Sequence, residues 1–139
     1  MIEKKKTIYF VTAIGTDSGK TLLSAIITQA LKADYWKPIQ AGSEETDKNT
    51  VQELVSNQQS KFHKESYLLA SPESPHSSAK KEGVHIDLDE IILPEFESKH
   101  LVIEGAGGVL VPLNDKDLVI DLAAKFNCEV ILVLSLIHI

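Results

Sequence analysis

Apolar residues along this chain occur in short runs separated by segments with a helical period, a pattern typical of α/β domains. Four runs have the length and composition of buried parallel strands, at residues 7–12, 33–37, 100–104 and 130–134. After the first run, apolar residues between 22 and 31 recur at helical spacing and predict an amphipathic helix. The alternation predicts a mostly parallel sheet with helices on both faces.

The other segments have weaker patterns. Three further helices are predicted, around residues 51–55, at 87–96 with an end near Pro94, and at 117–126. Thr46 or Asp47 would cap the first of them. Residues 40–47 are predicted to form a polar loop. Residues 58–84, rich in Ser, Lys and Pro, are predicted to form loops around a short strand near 67–69.

Composition and charge narrow the possible functions. With 139 residues, 43% of them hydrophobic, the chain suits one folded domain. The net charge of −6 is unfavourable for a nucleic-acid surface, which needs basic patches. The single cysteine, Cys128, excludes a disulfide framework and borders an apolar run, where we expect a buried, unreactive thiol. No window approaches the ~18–20 apolar residues of a membrane span, and no secretory signal is recognisable. We therefore expect a cytoplasmic protein that binds neither nucleic acid nor membrane.

The segment Gly15–Thr21, Gly-Thr-Asp-Ser-Gly-Lys-Thr, lies between a predicted strand and a predicted helix, the context in which a Walker-type phosphate loop is credible. Backbone N–H groups and the positive end of the following helix would cradle phosphates. Lys20 would reach the β- and γ-phosphates of ATP, and the Thr21 hydroxyl would ligate Mg²⁺. The usual first glycine of such a loop would fall at Ile14 or Ala13, so the upstream half is irregular, and a structural turn remains the alternative.

Three loops that contain Gly15, Gly42 and Gly105 all follow predicted strands. Ligands of parallel α/β sheets bind beyond the carboxyl ends of the strands, so these loops should gather at one edge. Glu104 ends an apolar strand at that edge, and a carboxylate there is costly to bury unless it meets a cation. The glycines after it would let the backbone approach a substrate or phosphate closely.

Four segments together resemble dethiobiotin synthetases in order and spacing. They are residues 12–21 (Thr-Ala-Ile-Gly-Thr-Asp-Ser-Gly-Lys-Thr), 36–43 (Trp-Lys-Pro-Ile-Gln-Ala-Gly-Ser), 74–76 (Ser-Pro-His) and 103–108 (Ile-Glu-Gly-Ala-Gly-Gly). The resemblance extends to about Val133 and implies a P-loop NTPase-like fold. That family uses ATP and CO₂ to close the ureido ring of dethiobiotin from 7,8-diaminononanoate. A carbamate forms on one amine and is phosphorylated, and the second amine then displaces phosphate.

The resemblance also implies roles for individual residues. The residues implied in catalysis are Lys37 and Lys20. Those implied in binding the diamine are Thr16, Lys37 and Ala41. Those implied in holding Mg²⁺, whose preferred ligands are oxygens, are Thr21, Asp47 and Glu104. Those implied in binding the nucleotide are Asp17, Ser18, Gly19, Lys20, Thr21, Leu22, Asp47, Glu104, Gly105, Ala106 and Gly107. The resemblance further implies a homodimer when the protein is full length.

Two positions depart from the family pattern. Ala13 stands where the family has glycine, and its methyl group would crowd the loop if the backbone there needed a positive φ. Ala41 stands where the family usually has Ser or Thr, so it lacks a hydroxyl that contacts the substrate. Lys37 keeps the family pattern, and an ammonium group at a strand end could stabilise both the carbamate and the transferred phosphoryl group.

Two other functions stay open. A related P-loop amide ligase of the cobyrinic acid type shares the phosphate loop, although Lys37-Pro and Ser-Pro-His favour dethiobiotin synthesis. A non-catalytic nucleotide-binding protein, such as a partition ATPase, usually has a second lysine early in the loop, and residues 13–18 contain none.

The end of the chain has its own prediction. Residues 134–139, Leu-Ser-Leu-Ile-His-Ile, match the translation of a common transposase sequencing adapter, CTG TCT CTT ATA CAC ATC, so we expect a non-native tail. Residues 1–139 would then be one P-loop domain forming the N-terminal two-thirds of the protein, with its sheet incomplete at the C-terminus. Because an unpaired apolar strand edge promotes aggregation, we expect poor expression and little turnover from this chain alone.

Overall fold

A five-stranded parallel sheet forms the centre of the structure, a computed structural model that describes residues 5–135. Its strands are, in spatial order, β4 (Phe62–His63), β2 (Asp34–Trp36), β6 (His100–Glu104), β1 (Thr7–Ala13) and β7 (Glu129–Val133). A second parallel sheet pairs β3 (Ile39–Ala41) with β5 (Tyr67–Leu69). The register of the central pair places Val11 opposite Glu104, so β1 and β6 end at the same edge.

Within residues 5–135, four α-helices pack around the sheets, and the third of them contacts the small sheet of β3 and β5. They are α1 (Lys20–Leu31), α2 (Asp47–Leu54), α3 (Pro75–Glu82) and α4 (Val119–Lys125). Side chains alternate between the faces along each strand. Val11 and Val102 therefore pack in one core with Ala25 of α1 and Val51 of α2. The neighbouring residues of the same strands pack in a second core with α3 and α4; they include Phe10, Leu101, Ile103, Ala79 and Leu122. The predicted α/β fold with helices on both faces is confirmed.

Residues 58–84 differ from their prediction. Instead of loops around one strand, they contain α3 and the short strand β4 as well as β5. Helix α3 begins with Pro75 in its first turn, where proline's missing N–H costs nothing, and ends at Gly83, whose φ of 66° suits glycine. The proline and glycine at its ends are the sequence features that could have predicted this helix. Its apolar pattern could not, because Ala79 is its only residue in the buried hydrophobic core.

The predicted helix at residues 87–96 is wrong. Only a single 3₁₀ turn forms, at Leu88–Glu90, and the Asp87 side chain caps it by accepting from the Asp89 N–H. Pro94 lacks an N–H and disfavours a helical conformation at the residue before it, so the chain continues without a helix to β6. The predicted polar loop at 40–47 is also shorter, because β3 includes Gln40 and Ala41 and α2 begins at Asp47.

The remaining predictions for the chain as a whole concern its ends and its environment. Strand β7 pairs with β1 and is an outer strand of the sheet within the described residues. Most of the predicted non-native tail, residues 136–139, lies outside the described residues. Between residues 5 and 135, no helix is long and apolar enough to cross a membrane.

Candidate active site

The carboxyl ends of β1, β2, β3 and β6 open onto one cavity of about 1100 Å³. Its lining includes Gly19, Gly42 and Gly107, each from a different loop. The expected gathering of the glycine-containing loops at one edge is therefore observed. This edge is where parallel α/β sheets bind their ligands.

The phosphate loop curls between β1 and α1 through two residues with positive φ, Asp17 at 55° and Gly19 at 95°. Lys20 folds back over the loop, and its Nζ donates to the Gly15 carbonyl at 3.2 Å. Ala13 is the buried last residue of β1 and is not among the residues with positive φ. Alanine therefore fits this position without backbone strain, and the irregularity in the sequence does not distort the loop.

The glycine-rich segment after β6 packs directly against the phosphate loop. The Val109 N–H donates to the Ala13 carbonyl at 2.7 Å. A Cβ atom on Gly108 would lie only 2.4 Å from the carbonyl oxygen of Ile14. Only glycine at 108 allows this approach, and the contact fixes the start of the phosphate loop relative to β6.

We expect Gly108→Ala to lower the free energy of unfolding by about 1–3 kcal/mol, the usual cost of overpacking a fixed site. The clash is with a backbone carbonyl, which has no rotamer by which to move away. Urea denaturation measures the change. Gly15→Ala is the matched control, because a Cβ there has no neighbour within 4 Å. An unchanged midpoint for Gly108→Ala would contradict the prediction.

Lys37 lies at the centre of a buried charged cluster. Its Nζ is 2.6 Å from Asp47 Oδ2 and 2.8 Å from Glu104 Oε2. It also donates to the Gly105 carbonyl at 3.3 Å. One ammonium group therefore faces two carboxyl groups from different elements, α2 and β6, beside the phosphate loop.

Both carboxyl oxygens of Glu104 have further partners. The Thr21 hydroxyl donates to Oε2 at 3.2 Å, and the Tyr35 hydroxyl donates to Oε1 at 3.3 Å. Glu104 is 1% exposed, so these contacts and Lys37 replace the water that the carboxylate loses on burial. Glu104 thus joins the phosphate loop, through Thr21, to Lys37.

The charges in the cluster shift one another's pKa values. Burial favours a neutral Lys37, but the Glu104 and Asp47 carboxylates outweigh burial and raise its pKa. Burial likewise favours a neutral Asp47, but Lys37 outweighs it and lowers the pKa of that carboxyl group. Burial and the nearby Lys37 lower the pKa of Lys20. Lys37 is therefore a firmly charged group facing an excess of carboxyl groups.

The structure brings most of the predicted site residues together. The lining of the cavity includes Thr16, Asp17, Ser18, Gly19, Lys20, Thr21, Lys37, Ala41, Asp47, Glu104, Ala106 and Gly107. Gly105 contacts the site through its carbonyl group, which accepts from Lys37. Leu22 lies outside the cavity lining, and this residue is 58% exposed.

Two buried residues in this region had no predicted role. Tyr35 donates to Glu104, and the Gln40 side chain accepts from the Asp47 N–H at 3.0 Å. The buried position of Tyr35 followed from its strand, but neither partner could be identified from the spacing of residues. Both contacts join segments whose relative placement depends on the tertiary fold.

Two other residues noted in the sequence lie outside this cluster. His76 is in α3 and lines a separate cavity of about 350 Å³, with its Nε2 3.9 Å from Asp115 Oδ1. Burial raises the pKa of the Cys128 thiol to about 12, which keeps it protonated and unreactive at neutral pH.

A parallel sheet whose first strand leads through a Gly-Lys-Thr loop into a helix, with carboxylates at the same edge, defines a P-loop nucleotide-binding domain. The chain belongs to the AAA domain family (AAA_26), whose model matches residues 7–137.

The chain is also similar to curated proteins named ATP-dependent dethiobiotin synthetase BioD. It is 59% identical to the protein of Cytophaga hutchinsonii over 92% of this chain and 62% of that relative. It is 53% identical to the protein of Christiangramia forsetii over 84% of this chain and 56% of the relative. For Brucella ovis, the identity is 47% over 88% of this chain and 58% of the relative. The resemblance found in the motifs is confirmed, and the chain spans about three-fifths of the length of these relatives.

Proposed function

We propose that this chain is the phosphate-binding part of an ATP-dependent dethiobiotin synthetase. The reaction is the carboxylation of 7,8-diaminononanoate and its closure to dethiobiotin, with release of ADP and phosphate. The observation that carries the proposal is the position of Lys37, held between Asp47 and Glu104 at the edge of the phosphate loop. The similarity to proteins of that name supports the choice of substrates.

In the proposed reaction, the phosphate loop and the N-terminus of α1 bind the ATP phosphates. Backbone N–H groups at a helix start favour anions, and Lys20 adds a positive charge above them. Phosphoryl transfer depends mainly on positioning and on neutralising charge. Lys20 and Lys37 both line the cavity, and together they supply that neutralisation.

Lys37 has the second proposed role. Its pKa is raised by Glu104 and Asp47, so it stays an ammonium group at neutral pH. A fixed ammonium beside the phosphates stabilises the negative carbamate on the diamine and the phosphoryl group that its oxygen accepts. Thr16 and Ala41 line the same cavity and are the proposed contacts of the diamine.

The oxygen atoms at this edge suit Mg²⁺. Thr21 Oγ1 lies 3.2 Å from Glu104 Oε2, and Asp47 and Glu104 share one cationic partner. Mg²⁺ usually takes one or two protein carboxylates and completes its shell with water and phosphate. We propose that Thr21, Asp47 and Glu104 would hold Mg²⁺, which would supply positive charge to neutralise the phosphates.

Phosphate release from ATP by the full-length protein tests the function. We expect release only when 7,8-diaminononanoate and bicarbonate are both present, with dethiobiotin formed in equal amount. Release that is indifferent to either substrate would overturn the proposal and favour another P-loop protein, such as an amide ligase or a nucleotide-binding switch. By family resemblance we also propose that the protein is cytoplasmic and forms a homodimer. Light scattering on the full-length protein measures its molar mass and so tests the dimer.

A further inference from the structure

The N-terminus of α2 is held by two side-chain acceptors. The first N–H groups of any helix lack partners within the helix, and the residue before the helix usually supplies one. Thr46 does so here, with its Oγ1 accepting from the Asn49 N–H at 3.3 Å. The second acceptor comes from outside the helix, because Gln40 Oε1 accepts from the Asp47 N–H at 3.0 Å.

Gln40 is itself firmly placed. It lies in β3, paired with Leu68 of β5, and is buried. Its Nε2 donates to the Ala41 carbonyl at 2.9 Å, so both polar atoms of the amide have partners. Two residues after Gln40, the Gly42 N–H donates to the Leu69 carbonyl at 2.9 Å, which continues the pairing of β3 with β5. The side chain therefore extends from a fixed strand.

The loop between β3 and α2 is exposed in its middle. Residues 43–45 are exposed, and they line the cavity between β3 and α2. Asp47 is the first residue of α2, and its carboxylate must return to within 2.6 Å of Lys37, ten positions earlier in the chain. The hydrogen bond from the Asp47 N–H to Gln40 therefore holds the end of this loop at Asp47, the residue whose side chain lines the cavity.

We propose that Gln40 is a positioning residue that places Asp47 against Lys37 and toward the metal–nucleotide complex. The inference rests on the proposed function only in taking Asp47 as a holder of the metal ion. Partners that orient metal-binding residues typically contribute a factor of about 10–100 to metal affinity.

Binding of Mn²⁺ to the full-length protein with a non-hydrolysable ATP analogue, measured by electron paramagnetic resonance, tests this role. Gln40→Met keeps the length of the side chain and removes both polar atoms. We expect it to weaken Mn²⁺ binding about 10-fold or more. In an Asp47→Asn background the same substitution should change Mn²⁺ binding little, because the residue through which Gln40 acts is already altered.

Gln29→Met is the matched control. Gln29 Oε1 also accepts backbone N–H groups, those of Ser56 and Asn57, but beyond the other end of α2. It should leave the Mn²⁺ affinity unchanged. If Gln40→Met does not fold, Gln40→Asn, one methylene shorter, tests the same contact. Unchanged Mn²⁺ affinity in a folded Gln40 variant would overturn the proposal, as would equal losses with and without Asp47→Asn.

The two proposals fail in different ways. If the wild-type protein binds Mn²⁺ with the analogue but releases no phosphate in response to the diamine and bicarbonate, the proposed function is wrong and the role of Gln40 can still be measured. If dethiobiotin forms normally in the wild type and Gln40→Met binds Mn²⁺ as tightly, only the positioning role is wrong.

Discussion

Replacing Lys37 by methionine in the full-length protein should lower the rate of dethiobiotin formation by at least about 100-fold, the usual loss when one fixed charge-stabilising donor is removed. Methionine approximates the length of lysine and leaves the cavity filled, so the change is mainly the loss of the ammonium group. Nucleotide binding should remain within a few-fold, because the phosphate loop and Lys20 are untouched. Single-turnover assays of product, together with calorimetric titration of an ATP analogue, measure the two effects separately.

Lys48→Met is the matched control for this variant. Lys48 lies in α2, and like Lys37 it forms an ion pair: its Nζ is 3.1 Å from Glu65 Oε2. Neither Lys48 nor Glu65 lines the cavity. Its substitution should affect stability modestly and leave the rate of product formation unchanged. A Lys37→Met protein that forms dethiobiotin at a rate near that of the wild type would contradict the catalytic role of Lys37.

The central fold could be predicted because its signals are local. Strands β1 and β6 are apolar runs of the right length, and α1 has a clear helical period. Helix α3 was missed because only one of its residues, Ala79, joins the core as an apolar side chain, so it has no apolar period. The false helix near residues 87–96 arose from apolar residues that pack against the core without forming a helix.

The candidate site could be predicted only in part. The Gly-Lys-Thr sequence and the Lys-Pro motif identified Lys20 and Lys37, and the carboxylate at the end of an apolar strand identified Glu104. The fit of Ala13 depended on its backbone φ, which no sequence pattern gives. The partners of Tyr35 and Gln40 depended on how β2, β3, α2 and β6 meet at one edge. Motifs identify which residues share a site, but tertiary contacts decide how each one is held.

Replacing Glu104 by glutamine should lower the free energy of unfolding by about 3 kcal/mol, the lower end of the range for breaking a buried ion pair. Glu104 is almost fully buried, while its neighbour Asp47 has a side chain 34% exposed and can still pair with Lys37. Glutamine keeps the shape of glutamate but loses the charge that Lys37 faces. The variant should also lose most of the rise in thermal stability that Mg²⁺ with an ATP analogue gives the wild type, because a proposed holder of the metal is neutral.

Glu65→Gln separates these two effects. The Glu65 side chain is 6% exposed and pairs with Lys48, so its substitution removes a buried carboxylate outside the cavity. It should lower the stability of the metal-free protein and leave the stabilisation by Mg²⁺ with the analogue intact, since ligand binding adds to stability according to its affinity. Thermal unfolding of both variants with and without Mg²⁺ makes the comparison. A Glu104→Gln protein that retains the full Mg²⁺-dependent rise would show that Glu104 acts only as the structural partner of Lys37.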